Sequence, residues 1–326
     1  MIYYWTSSGS RPAPPAKTLY VLVALASLLS FPLLLEMNAH AQTSIVIRRT
    51  PTTIVVGADS KEVRYEYLID GSGQKRIARS ERSKCKIRQV DQTTFFAIAG
   101  QYDFDVDDLA VKSCKEGGAF LDSLVAFEAA VRLPLINLLK ELRNFDAASY
   151  DRMRAAREPL LQIVIFGLEK GTLAYVTMDF YIAREPSPLD LNQAERFSKL
   201  LRQMLNPVDL ETIIDGCPLK HPSDKPITHP LGRREAINGL VNTGDDWEAI
   251  RLNFWRSFGD VEGVRFLVWI ETAAASEMVS EPIDVLSIDA KGKAEWKHHK
   301  DQCPPIEQPK PPTKTAIRKV LGKRDR

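Results

Sequence analysis

From Thr43 onward, short β-branched runs arrive in pairs and are interrupted by blocks of helical periodicity, an order that narrows the fold more than any other feature. Thr43–Arg49 (TSIVIRR) and Thr52–Ala58 (TTIVVGA) are two such runs divided by Pro51, which predicts a hairpin. Val63–Ile69 alternates and runs into Asp70-Gly71-Ser72-Gly73, a turn cluster. Lys86–Val90 and Thr94–Ala99 read as a further pair of strands. After Gly100 the period changes: Val106–Lys115 and Ala119–Leu142 carry apolar residues at three- and four-residue spacing, which predicts two helices. Strands return at Leu160–Leu168 and Thr172–Ile182 around the turn Glu169-Lys170-Gly171. Asn192–Leu205 reads as a short amphipathic helix, and Asp215–Leu231 as a Pro-rich loop. Gly232–Asn242, Asp245–Phe258 and Asp260–Ser276 are helical, and Pro282–Ile288 with Lys293–Lys297 forms a closing hairpin.

Strands that arrive as hairpins favour antiparallel sheets, and helices that come in blocks favour outer layers. The expected class is α+β: a four-layer αββα sandwich of two antiparallel sheets flanked by helices. A doubly wound parallel sheet fits poorly, because strand and helix do not alternate one by one.

The first forty residues stand apart. Arg11 and Lys17 precede an apolar stretch from Leu19 to Leu35, and Ala39-His40-Ala41 follows with small residues at the two positions a signal peptidase inspects. Residues 1–41 therefore read as a signal peptide, with an uncleaved N-terminal anchor as the alternative, since about 17 apolar residues just span a bilayer. The expected location is exported, periplasmic or extracellular, with a membrane contact only if that segment is retained. Residues 43–297 form one domain with an insertion near 206–245. Residues 298–326 read as a disordered basic tail rich in Pro and Lys.

The formal net charge of +2 is near neutral, so no nucleic-acid partner is expected. Cys85, Cys114, Cys217 and Cys303 are an even set in an oxidising compartment, and stabilising disulfides are expected from them. Their spacing allows three pairings and chooses none. No pair has zinc-site spacing, and His221, His229, His298 and His299 read as solvated loop residues, so neither metal nor cofactor is expected.

Thr43-Ser44-Ile45-Val46-Ile47, followed by Ile54-Val55-Val56-Gly57-Ala58-Asp59-Ser60-Lys61, resembles the opening of proteasome β-subunits and their bacterial relatives in the N-terminal-nucleophile hydrolase superfamily. Thr43 and Asp59 lie sixteen positions apart, and Lys86 and Gly100 fourteen apart, both as in that family. The 26 residues between Asp59 and Lys86 exceed the family's interval, so a longer hairpin is expected there. The resemblance implies that Thr43 is the nucleophile, Asp59 and Lys86 its supporting pair, and Gly100 the oxyanion donor. The chemistry needs these residue types. An N-terminal Thr supplies a hydroxyl and, in its own α-amine, an adjacent base with a pKa of roughly 8. A buried Lys favours the alkoxide, and a carboxylate holds that Lys charged.

The implied activity is that of an exported N-terminal-threonine amidohydrolase or peptidase, acting on a peptide or acyl-amide through an acyl-enzyme and free to form homo-oligomers. The alternative is a catalytically inactive protein of the same fold, acting as a binding or assembly module. Departures from the family pattern favour the second reading: Gln42, not Gly, precedes Thr43, and Ser276–Glu281 lacks the Asp and Gly-rich turn that active subunits carry.

Overall fold

The computed structural model describes residues 43–69, 75–100, 102, 104–183, 210–216, 226–232, 234–241, 247–274, 279–301 and 303–307. In chain order the strands are β1 (Ser44–Arg49), β2 (Thr53–Ala58), β3 (Lys61–Ile69), β4 (Lys75–Ser83), β5 (Ile87–Gln89), β6 (Thr94–Gly100), β7 (Leu161–Glu169), β8 (Thr172–Ile182), β9 (Leu210–Gly216), β10 (Ile227–Gly232), β11 (Asp284–Asp289) and β12 (Ala294–His298). The helices are α1 (Val106–Gly117), α2 (Phe120–Phe145) and α3 (Ala147–Ala156) between β6 and β7, then α4 (Glu235–Val241) and α5 (Trp247–Ala274) between β10 and β11. The class is α+β. One five-stranded sheet runs β10-β1-β2-β11-β12, a second runs β5-β6-β7-β8-β9, and β3 and β4 pair as a separate hairpin. Every strand pairing is antiparallel.

The β1–β2 turn closes as Pro51 predicts. Thr50 N–H donates to the Thr53 carbonyl at 2.8 Å, and the Thr50 hydroxyl accepts from Thr53 N–H at 3.0 Å. Along β1 the side chains alternate between two cores, as strand geometry requires. Ile45 and Ile47 join Ile54, Val56, Phe95, Ala97, Val164 and Phe166 in a cluster drawn from both five-stranded sheets. Val46 joins Val55 and Val285 against Ile237 of α4 and Val264 and Val268 of α5. A third cluster sets Phe96, Ile98, Ile163 and Ile165 against Val106, Phe127, Leu135, Leu139 and Met153 of α1, α2 and α3. Each such side chain, fully buried, contributes about 1.5–3 kcal/mol, so the outer clusters tie the helices to the sheets.

The expected breaks fall close to those observed. The split between Phe258 and Asp260 is a kink within α5 at Gly259 (φ 71°, ψ 176°). The longer hairpin expected between Asp59 and Lys86 is β3–β4, whose second strand, KRIARSERS, alternates too weakly to be read in advance. Helix α3 was not expected either. Asp146 caps it, accepting from Ser149 N–H at 3.0 Å.

Two expectations are corrected. Asp215–Leu231 is not all loop: β9 enters it and β10 occupies its end, and the insertion near 206–245 thus supplies an edge strand to each sheet. Pro230 disguises β10, and an edge is where a strand tolerates proline. Beyond His298, residues 299–301 and 303–307 are described, and Lys300 and Cys303 among them are buried against the domain rather than in a free tail. The signal segment 1–41, the Asp70–Gly73 turn, the Asn192–Leu205 helix, Cys217 and residues 308–326 lie outside the described residues. Among the described residues no helix is long and apolar enough to cross a membrane.

Candidate active site

The β1–β2 register sets Ile45 opposite Ala58, so the residues just beyond, Ser44 and Asp59, meet where the hairpin opens. Asp59 N–H donates to the Ser44 carbonyl at 3.1 Å, and Ser44 N–H donates to Asp59 Oδ1 at 3.0 Å. Asp59 Oδ2 accepts from Lys61 N–H at 2.9 Å, and the Ser280 N–H, just ahead of β11, adds a further donor. The carboxylate is thereby fixed against the residue that follows Thr43.

Lys86 reaches the same place from the strand pair inserted after Asp59. As β4 ends, Lys84 N–H donates to the Ser60 carbonyl at 2.8 Å, which draws the segment Lys84–Lys86 alongside the end of β2. Lys86 Nζ then donates to Thr43 Oγ1 at 2.5 Å. Thr43, Asp59 and Lys86 are 3%, 0% and 5% exposed, so this cluster operates away from bulk water.

Burial pushes the Asp59 carboxyl above the usual carboxylate range, opposed by the Lys86 charge and by the N–H groups of Ser44, Lys61 and Ser280. Burial likewise holds Lys86 below the usual lysine range, opposed by Asp59 and Glu62 and reinforced by the nearby cations Lys84 and Lys300. A lysine so lowered, in hydrogen-bond contact with a hydroxyl, is placed to take that hydroxyl's proton.

Gly100 ends β6 at the same edge of the layer. Its φ of 133° is open to glycine, and a Cβ there would lie 2.2 Å from the Leu160 carbonyl oxygen. The preceding Ala99 pairs with Gln162 across β6–β7. Gln162 Oε1 accepts from Gly232 N–H at 2.5 Å, while its buried Nε2 has no hydrogen-bond partner among the described residues. Gly232 in turn abuts Thr43: a Cβ on Gly232 would fall 1.7 Å from the Thr43 carbonyl oxygen and 3.0 Å from the Ala99 side chain. Thr43, Asp59 and Lys86 thus share one cluster, and Gly100 sits beside it through Ala99 and Gly232.

A second buried acid–base pair adjoins the first. Asp284, paired with Ala58 across β2–β11, is fully buried; its Oδ1 accepts from Lys300 N–H at 3.1 Å and its Oδ2 lies 3.4 Å from Lys300 Nζ. Lys300 Nζ also donates to the Lys84 carbonyl. Burial pushes Asp284 up against the pull of Lys300, and pushes Lys300 down against the pull of Asp284. Beside this pair, Cys85 and Cys303 form a disulfide across 218 positions, which selects one partner for each among the pairings the spacing left open. Cys114 is free and buried, with its thiol pushed up to about 12 mainly by burial, so it is inert at neutral pH. The two bridged sulfurs and an Asp284 oxygen lie within 4.8 Å of one another. With the sulfurs bonded to each other and Lys300 on the carboxylate, this group holds no cation.

Other residues singled out in the sequence have structural roles. His298 Nε2 meets Glu262 at 2.9 Å, His299 stacks on Trp296, and Asp105 caps α1. The sequence reading missed Gln162, Asp284 and Lys300. An aspartate inside the apolar run of β11 is a signal for Asp284. Lys300, in a lysine-rich stretch, has none.

No family model matches the chain, and no curated protein matches it.

Proposed function

We propose that the chain is an exported N-terminal-threonine amidohydrolase, built on the four-layer αββα sandwich of the N-terminal-nucleophile hydrolases. The single observation that supports it most is the hydrogen bond from buried Lys86 Nζ to Thr43 Oγ1, with Asp59 facing Lys86. Three residues brought together from β1, β2 and the start of β5 carry the roles that the resemblance implies. The shared apolar cluster between two antiparallel sheets, with helices packed outside each, supports the sandwich. The Cys85–Cys303 disulfide supports export, since such bonds persist in oxidising compartments.

In this reading Lys86 accepts the Thr43 proton as Oγ1 attacks the carbonyl carbon of a peptide or acyl-amide. An oxyanion forms, for which the Gly100 end of β6 is the candidate donor, and Asp59 holds Lys86 in place. The proton passes to the departing amine, and water then hydrolyses the Thr43 ester. A freed Thr43 α-amine is the base for that second step. Because folding lowers the Lys86 pKa, the neutral, proton-accepting form is gained as pH rises through that lowered value and lost below it. The acylation rate therefore has an acid limb below the ordinary lysine range.

One observation favours the second reading, a non-catalytic member of the fold used for binding or assembly. In the 326-residue chain the Thr43 nitrogen is in peptide linkage to Gln42, and Thr43 is almost wholly buried. The test is intact mass of the exported protein treated with a β-lactone, an electrophile for N-terminal threonines. A single adduct on a chain that begins at Thr43, absent in Thr43→Ala, supports the hydrolase; an unlabelled chain that retains Gln42 supports the binding module.

A further inference from the structure

We infer that Lys300, held by Asp284 and tied down by the Cys85–Cys303 disulfide, is a positioning residue for Lys86, and that cleavage of the disulfide releases it. The inference rests on the proposed role of Lys86 toward Thr43 and extends it to a chain segment that the family resemblance does not reach.

The geometry carries it. Three consecutive residues, Lys84, Cys85 and Lys86, lead into β5, and the C-terminal segment grips the first two of them. Lys300 Nζ donates to the Lys84 carbonyl, and Cys303 is bonded to Cys85, the residue immediately before Lys86. The grip is anchored on the opposite side by β11, where fully buried Asp284 takes both the N–H and the ammonium of Lys300. On its other flank the run is tied by Lys84, whose N–H meets the Ser60 carbonyl and whose Nζ lies 2.8 Å from Asp107 and 3.7 Å from Glu62. Both cysteines are only 6% exposed, so the bond is an interior strut.

The charged groups facing Lys86 are Asp59 and Glu62, which favour its ammonium form, and Lys84 and Lys300, which oppose it. Of these four, only Lys300 comes from beyond β12, and it lies three residues before the bridged Cys303. A dithiol reductant cleaves the strut in a balanced step. One of its thiolates attacks a Cys85–Cys303 sulfur, its second thiol closes the reductant into a disulfide, and Cys85 and Cys303 are left as two thiols. Loss of the bridge removes the covalent tie on this segment and leaves non-covalent ones: Lys300 on Asp284 and on the Lys84 carbonyl, the Trp296 indole on the Pro304 carbonyl at 3.3 Å, Ile306 against the apolar cluster of the two sheets, and Gln89 with Glu307. Once Lys300 leaves the Lys84 carbonyl, the repulsion on Lys86 is relieved, its titration moves to higher pH, and the acid limb of Thr43 acylation moves with it.

The experiment uses the exported full chain with ¹³C-labelled lysine side chains, the Lys86 signal being assigned by its absence in Lys86→Met. Lys86 is titrated in three samples: oxidised protein, protein reduced with dithiothreitol, and oxidised Lys300→Met. The same samples are scored for β-lactone labelling of Thr43 against pH. The expected result is a Lys86 titration displaced to higher pH in the second and third samples, by more than the scatter of replicate curves. Labelling on the acid limb falls in step with that displacement. Superimposed Lys86 curves in all three samples overturn the inference. So does reduction that abolishes the near-ultraviolet circular dichroism of the whole fold, because the release is local. Reduced protein carries the test if Lys300→Met does not fold. A shifted Lys86 curve without labelling in any sample counts against the hydrolase reading alone. Labelling with an unmoved curve counts against the positioning role alone.

Discussion

Two aspartate–lysine pairs are buried at one end of this molecule, Asp59 with Lys86 and Asp284 with Lys300, and they differ in what the lysine touches. Lys86 donates to a side-chain hydroxyl, whereas Lys300 donates to a main-chain carbonyl. Both carboxylates come from neighbouring strands of one sheet, since Asp284 pairs with Ala58, the residue before Asp59. Burial acts on both pairs in the same sense, raising each aspartate and lowering each lysine. The difference is one of output. In the proposed reading, a proton accepted by Lys86 activates an oxygen nucleophile, whereas Lys300 meets a main-chain carbonyl. That reading assigns chemistry to the first pair and bracing to the second.

The largest expected effect separates the two by rate. Lys86→Met is expected to slow Thr43 acylation by about 10²- to 10⁴-fold, the range of a positioned general base, with Lys300→Met far closer to wild type on the alkaline plateau. Full pH–rate profiles of both variants check this, and equal losses on the plateau would erase the distinction.

Next in size are effects on stability. Asp284→Ala leaves Lys300 as a buried, unpaired cation, expected to cost about 3–5 kcal/mol in urea unfolding. Asp284→Leu combined with Lys300→Met is expected to cost less than the single change, since both charged partners are removed together. The pH dependence is the sharper probe. Asp284 titrates higher folded than unfolded, so its contribution is fully present below the ordinary aspartate pKa and is lost as pH rises through the folded value. Lys300 titrates lower folded than unfolded, so its contribution is present above the ordinary lysine pKa and is lost as pH falls through its folded value. The double replacement removes both slopes.

A smaller loss is expected from the bridge. Cys85→Ser with Cys303→Ser opens a 218-residue span, with an expected cost of about 2–4 kcal/mol in the same unfolding assay. Smallest of all, Cys114→Ala removes a free thiol in the cluster that packs α1 and α2, with an expected cost on the order of 1 kcal/mol or less.

The two pairs were not equally legible in the sequence. Asp59 and Lys86 stand at strand ends at readable spacings from Thr43 and Gly100; the structure joins Lys86 to the Thr43 hydroxyl and sets Asp59 on the Ser44 N–H, within electrostatic reach of Lys86. The strands around them were legible because TSIVIRR, TTIVVGA and TFFAIA are β-branched or apolar runs bounded by turn residues. Asp284 leaves one local sign, an acid in an apolar run, but its partner Lys300 leaves none, because their meeting depends on strand register and on a chain return across 218 positions. Edge strand β10 was obscured for a related reason: its pairing with β1 overrides the turn character of Pro230. Local composition reports what a segment prefers, and the long-range partner decides what it becomes.

The central claim is that Thr43 is a nucleophile served by Lys86, and it requires a free Thr43 amine. The most direct test is N-terminal sequencing with intact mass of the protein purified from its native host. A chain that begins at Thr43 is the predicted result, whereas one that begins at Gln42 or earlier would contradict the account.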